Sequence, residues 1–141
     1  MDPIINIHSA DKIDINSLTT QFFKLFDNTD HKIPDWTVAR KICIPEIIII
    51  KKTGLTEAIY NLENFIKPRK TILSDGTLTD FQEYELHEET VIIGHIAHRR
   101  SRYQKSGNLS GKSFVETGTK LFQFIKTKNG WKISSLVWED D

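Results

Sequence analysis

Two hydrophobic rhythms run along the chain. In the first half, apolar residues return every three or four positions. Ile15, Leu18, Phe22, Leu25 and Phe26 form one stripe of an amphipathic helix. Asp11 or Asp14 is placed to cap its start, and Asp27-Asn28-Thr29-Asp30 is a polar stop. Asp35 reads as the N-cap of a short helix through Trp36, Val38, Ala39 and Ile42, which Pro45 prevents from continuing. The β-branched run 46–51 predicts a strand. Thr56 reads as the cap of a third helix carrying Ala58, Ile59, Leu62, Phe65 and Ile66. That helix is expected to end before Pro68, because a residue preceding proline avoids helical backbone.

In the second half the period falls to two, and four long strands are predicted over 78–87, 91–103, 112–127 and 131–139. Asn129-Gly130 is the strongest hairpin signal, since a type I′ turn needs positive φ at both central residues. Centring the loop there pairs Phe124 with Ser135, Phe122 with Val137 and Lys120 with Glu139. Both faces of this hairpin are then apolar: Phe122, Phe124, Trp131, Ile133 and Val137 on one, Leu121, Ile125, Leu136 and Trp138 on the other. Helices cover one face of such a sheet, and the second needs another cover, so the pattern predicts a homodimer formed through the sheet.

Composition adds limits. The chain has 141 residues, 38% hydrophobic and 27% charged, which fits a single globular domain spanning 1–141. Its 19 Lys and Arg balance 19 Asp and Glu, so it lacks the standing positive field of a nucleic-acid or acidic-membrane binder. The neutrality is segmental. Asp75, Asp80, Glu83, Glu85, Glu88 and Glu89 lead into Arg99, Arg100, Arg102, Lys105 and Lys112. Period two splits the basic run across both strand faces, so it reads as solvated strand ends rather than a nucleic-acid patch. The start, Met1-Asp2-Pro3-Ile4-Ile5-Asn6, has no basic segment followed by an apolar one, and the longest apolar run, 47–50, is far too short for a membrane span. A cytoplasmic protein is expected.

Cys43, the single cysteine, lies between Ile42 and Ile44, where a thiolate is disfavoured. His95 and His98 point to opposite sides of a strand, and His8, His31 and His87 offer no ligand spacing, so no metal or other cofactor is expected. The candidate chemistry lies elsewhere. With the tip of the hairpin at Glu88-Glu89, Glu83 falls opposite or beside His95, a carboxylate–imidazole pair suited to general base work. Arg99, Ser101 and Tyr103 share a face with His95 and Ala97, and the small Ala97 favours this face as the concave one. That face, with Glu85 as an alternative acid, forms a candidate ligand wall. Arg69 reads as an anion clamp or a helix-terminal charge, and Trp36 as a pocket lid or an apolar plug.

The element order, together with Ile44-Pro45-Glu46, Phe65-Ile66-Lys67-Pro68-Arg69, Gly94-His95-Ile96-Ala97 and Gly130-Trp131-Lys132-Ile133 followed by Trp138, resembles the nuclear transport factor 2-like superfamily. The resemblance covers nearly the whole chain. It implies an α+β cone, also called cystatin-like: a strongly curved, mostly antiparallel sheet packed on three N-terminal helices. The superfamily includes ketosteroid isomerases and SnoaL-like cyclases. An isomerase of that kind needs an Asp base, a Tyr and a protonated Asp. Here the tyrosine position holds Phe22, the base position falls near Lys51 or Lys52, and the second acid falls near Leu121. Steroid-type isomerisation is therefore disfavoured, and the fold does not itself transfer a function. The reading that follows is a small-molecule pocket protein with acid–base chemistry of the isomerase, dehydratase or cyclase kind. The alternative is a non-catalytic interaction or dimerisation module.

Overall fold

A computed structural model describes residues 8–141, so the Met1–Asn6 start lies outside the described residues. Helix α1 (Ser9–Lys24) buries Ile15, Leu18, Thr19, Phe22 and Phe23. It starts earlier than either proposed cap. Asp11 instead sits in the first turn, where its Oδ1 accepts from Trp131 Nε1 at 2.8 Å and Lys126 Nζ at 3.0 Å, pinning the helix to the sheet. A 3₁₀ turn (Thr29–His31) and α2 (Thr37–Ile42) follow, the latter opened by Asp35, whose Oδ1 accepts from the Thr37 amide.

Strands β1 (Cys43–Thr53) and β2 (Thr56–Tyr60) form a hairpin, so the segment after Thr56 is extended rather than helical. Helix α3 (Leu62–Ser74) starts at Asn61, whose side chain accepts from the Asn64 amide, and it runs through Pro68. Asn64 and Pro68 are both exposed, so the carbonyl that Pro68 cannot satisfy faces water. Strands β3 (Leu78–Ile93), β4 (Ile96–Leu109), β5 (Lys112–Thr127) and β6 (Gly130–Asp140) complete a six-stranded sheet in the order β2-β1-β6-β5-β4-β3. All neighbours are antiparallel except β1 and β6, which pair parallel. The three helices pack on one face of this sheet, enclosing a core rich in aromatic rings.

Bulges decide which residues face inward. In β3 the register shifts between Thr79 and Gln82, where Asp80 has φ 49°, and again between Glu85 and His87. Phe81, Glu83 and Glu85 therefore point inward, but beyond Leu86 the inward set becomes Glu88, Thr90 and Ile92. The β3–β4 loop is Gly94-His95, well beyond Glu88-Glu89. In β5–β6 the two-residue loop is Lys128-Asn129, with Thr127 opposite Gly130. A further shift after Gln123 pairs Phe124 with Ile133, Gln123 with Ser135 and Lys120 with Trp138. Leu136 and Trp138 thereby join Trp131 and Ile133 inside, while Leu121 remains 47% exposed on the outer face. The outer face is less apolar than a strict alternation implies.

Asn28 locks the helical layer to the sheet. Its Nδ2 donates to the carbonyls of Leu73 (3.0 Å) and Leu78 (2.8 Å), and its Oδ1 accepts from the Phe81 amide (2.7 Å). The polar stop after α1 is thus also the staple that holds α3 against the first bulge of β3.

Candidate functional site

Between α1, α3 and the curved sheet lies a cavity of about 500 Å³. Its apolar walls come from Phe22 and Phe26 of α1, Phe65 of α3, Phe81 of β3, Phe114 of β5 and Trp138 of β6. The rings are fixed by one another. Phe65 meets Phe26 edge-on at 5.9 Å and Trp138 at 5.8 Å.

Into this apolar space the sheet delivers charged groups. Lys120 lies in phase with Phe122 and Phe124 on β5, so period two carries it inward with them. It is 4% exposed, and its Nζ lies 3.5 Å from Glu83 Oε2. The same Nζ sits 4.1 Å from the Tyr103 ring centroid, 4.8 Å from Trp138 and 5.9 Å from Phe23. Burial lowers the Lys120 pKa from the ordinary lysine value, although Glu83 pulls in the opposite direction. Desolvation prevails because the ammonium has little contact with water.

A second group lies beside it. The Tyr103 hydroxyl donates a short hydrogen bond to Asp140, whose other oxygen accepts from Lys105 Nζ at 2.9 Å and lies 3.8 Å from Lys51 Nζ. Burial and then the bond to Asp140 raise the Tyr103 pKa. Burial alone would raise the Asp140 pKa, but the bonds from Tyr103 and Lys105 outweigh it, and the carboxyl titrates below its ordinary value. Tyr103 reaches Asp140 only because Gly118 has no side chain: a Cβ there would lie 2.2 Å from the hydroxyl and 2.6 Å from the Glu139 carbonyl oxygen. Lys51, Lys105, Lys112 and Glu116 line the same cavity as Asp140.

Arg69 also lines the cavity, lying 3.9 Å over the Phe65 ring, 5.2 Å from Tyr60 and 5.7 Å from Trp138. Its Nη1 donates to the Phe65 carbonyl at 2.9 Å, and burial lowers its pKa.

The structure regroups the other candidates. Glu83 stands opposite Lys105, and His95 is exposed in the β3–β4 loop, on the order of 30 Å farther along the strand, so the two do not pair. The separation follows from the longer hairpin, whose turn lies at Gly94-His95 rather than at Glu88-Glu89. Ala97, Arg99, Ser101 and Tyr103 do face inward. Arg99, however, is consumed by a network under α1. Its Nε and Nη2 donate to Glu85 at 3.1 and 2.5 Å, its Nη1 donates to Asn16 Oδ1 at 2.6 Å, and Ser101 donates to Glu85 as well. Arg99, Ser101 and Glu85 are therefore absent from the cavity lining. Trp36 packs edge-on against Phe26 at 5.8 Å and borders a separate shallow groove. Cys43 is buried, and its thiol is pushed up to about 12 by desolvation. Among the described residues no cluster of three metal-ligating side chains occurs, and no helix is long and apolar enough to cross a membrane.

Lys120 and Asp140 are the residues that sequence reasoning missed. The signal for Lys120 was present as a lysine in step with Phe122 and Phe124. Asp140 carried none, because its role depends on Tyr103 crossing Gly118.

No protein-family model matches the chain, and no curated protein matches it. Solved structures do. A Kribbella flavida protein superposes with a TM-score of 0.76 at 15% identity, covering 94% of this chain and 91% of the other. A nuclear transport factor 2-like superfamily protein from Salmonella enterica gives 0.75 at 15% identity, covering 92% and 90%. A hexachlorocyclohexane dehydrochlorinase, LinA-type3 from Novosphingobium barchaimii, gives 0.74 at 14% identity, covering 94% and 87%. At these identities the likeness speaks to architecture, and together with the helix and strand order it establishes that the chain has the nuclear transport factor 2-like fold.

Proposed function

We propose that this chain is a small-molecule pocket protein in which Glu83 and Lys120 perform acid–base chemistry on a ligand with an apolar body and a carbonyl group. The observation that carries the reading is a fully buried lysine 3.5 Å from a buried carboxylate on the wall of a cavity of about 500 Å³ that aromatic rings also line. Burying an ion pair is costly, and a core position alone would be filled as well by apolar side chains. An ion pair on a cavity wall can act on what the cavity holds. Glu83 serves as the base that removes a proton adjacent to the carbonyl, and Lys120 as the donor to the oxygen on which negative charge develops. One structural neighbour is named as a dehydrochlorinase, and loss of hydrogen chloride is likewise a proton-transfer reaction. An open cavity also favours this reading over an interaction module with an aromatic-plugged cone.

The test is solvent-deuterium exchange into the α-position of a bicyclic ketone, 2-tetralone, followed by NMR. The wild-type chain is expected to accelerate exchange over buffer, and Glu83→Gln to remove at least about 10²-fold of that acceleration. Exchange at the buffer rate, or exchange indifferent to Glu83→Gln, contradicts the reading.

The same proposal includes a homodimer through the outer sheet face. Ile50, Val137 and Leu121 stand side by side on β1, β6 and β5, with Ile48 53% exposed one step along.

A further inference from the structure

We propose that Lys120 condenses with aldehyde or ketone ligands to form a covalent imine in the cavity. This deepens the pocket reading and rests on it. An imine-forming lysine needs an amine held out of water, a group that shuttles protons, and room for a carbonyl compound. Lys120 has all three: it is buried on β5, Glu83 lies 3.5 Å from its nitrogen, and the cavity opens beside both. The Tyr103 and Trp138 rings, 4.1 and 4.8 Å away, suit a cation at this position. They suit an iminium equally well, because its positive charge occupies the same place beside Glu83. The lowered Lys120 pKa is consistent with an amine that gives up its proton readily.

The proton traffic balances. Glu83 accepts one ammonium proton, and the freed nitrogen pair attacks the carbonyl carbon as the C=O π pair moves to oxygen. Protonated Glu83 returns that proton to the oxygen, giving a carbinolamine. Glu83 then takes a second proton from nitrogen and delivers it to the hydroxyl, which leaves as water. One lysine ammonium and one carbonyl compound become one iminium and one water, with Glu83 again a carboxylate. Product release is the reverse hydrolysis.

The experiment incubates the whole chain with 2-naphthaldehyde and sodium cyanoborohydride, which reduces an iminium to a stable secondary amine, and locates the adduct by peptide mass mapping. One naphthylmethyl group at Lys120, formed ahead of the exposed lysines and suppressed by excess 2-methylnaphthalene, is expected. Glu83→Gln is expected to slow the labelling at least tenfold. An adduct spread over exposed lysines, with Lys120 bare, overturns the proposal. The thermal midpoint with 2-methylnaphthalene alone separates the two readings. A rise in that midpoint without a Lys120 adduct leaves the pocket standing and removes the imine. Absence of both removes both. The decisive readout is on the wild-type chain, so it does not depend on a Lys120 variant folding.

Discussion

At the scale of single residues, the chain places charge inside only where geometry compensates it. Arg99 is held by Glu85 and Asn16, Asp140 by Tyr103 and Lys105, and Lys120 by Glu83 and aromatic faces. The Asp140 arrangement makes a pH prediction. Its folded pKa is lowered from an ordinary value of 3.8, so its contribution to stability is present above that value and is lost as pH falls below it. Urea denaturation between pH 7 and pH 3 is expected to show stability falling at the acid end, with a shallower fall in Asp140→Asn. Equal acid slopes in the two proteins would contradict the assignment. Of the residues singled out from the sequence, Glu83 and Arg69 line the cavity, and Tyr103 faces inward on β4 without lining it. Lys120 was passed over because its inferred partner was Glu139, whereas the loop at Lys128-Asn129 and the extra β6 residue Ser134 make that partner Trp138.

At the scale of elements, local signals named most of the structure, and the errors cluster where one local rule met a longer-range one. The four long strands and the turn near Asn129-Gly130 follow from period two and turn chemistry. The segment 56–60 pairs with β1 because its residues complete a hairpin, a tertiary preference that outweighs the weak helical pattern. Bulges in β3 and β6 each reverse the inside and outside of the residues beyond them, whereas Glu83 and His95 are apart because the β3–β4 turn falls at Gly94-His95. Pro68 is the sharpest disagreement with a local rule. It lies inside α3, where it removes one backbone hydrogen bond. Pro68→Ala restores that donor at an exposed position and is expected to raise unfolding free energy by about 1–3 kcal/mol in chemical denaturation. A destabilised variant would show that the proline shapes the helix that carries Phe65 and Arg69 to the cavity.

At the scale of the whole molecule, the curved sheet and three helices enclose a cavity on one side and leave a partly apolar sheet face on the other. The outer face predicts association. Sedimentation velocity is expected to give a dimer mass that falls toward the monomer in Leu121→Lys, whereas a concentration-independent monomer would remove the dimer. The cavity is the more consequential feature, since the proposed function rests on what it holds. A crystal of the wild-type chain soaked with 2-tetralone tests this most directly. The account predicts the ligand between Phe65, Phe81 and Trp138, with its carbonyl at Lys120 and Glu83. A cavity that stays free of the ligand while the compound binds elsewhere would contradict it.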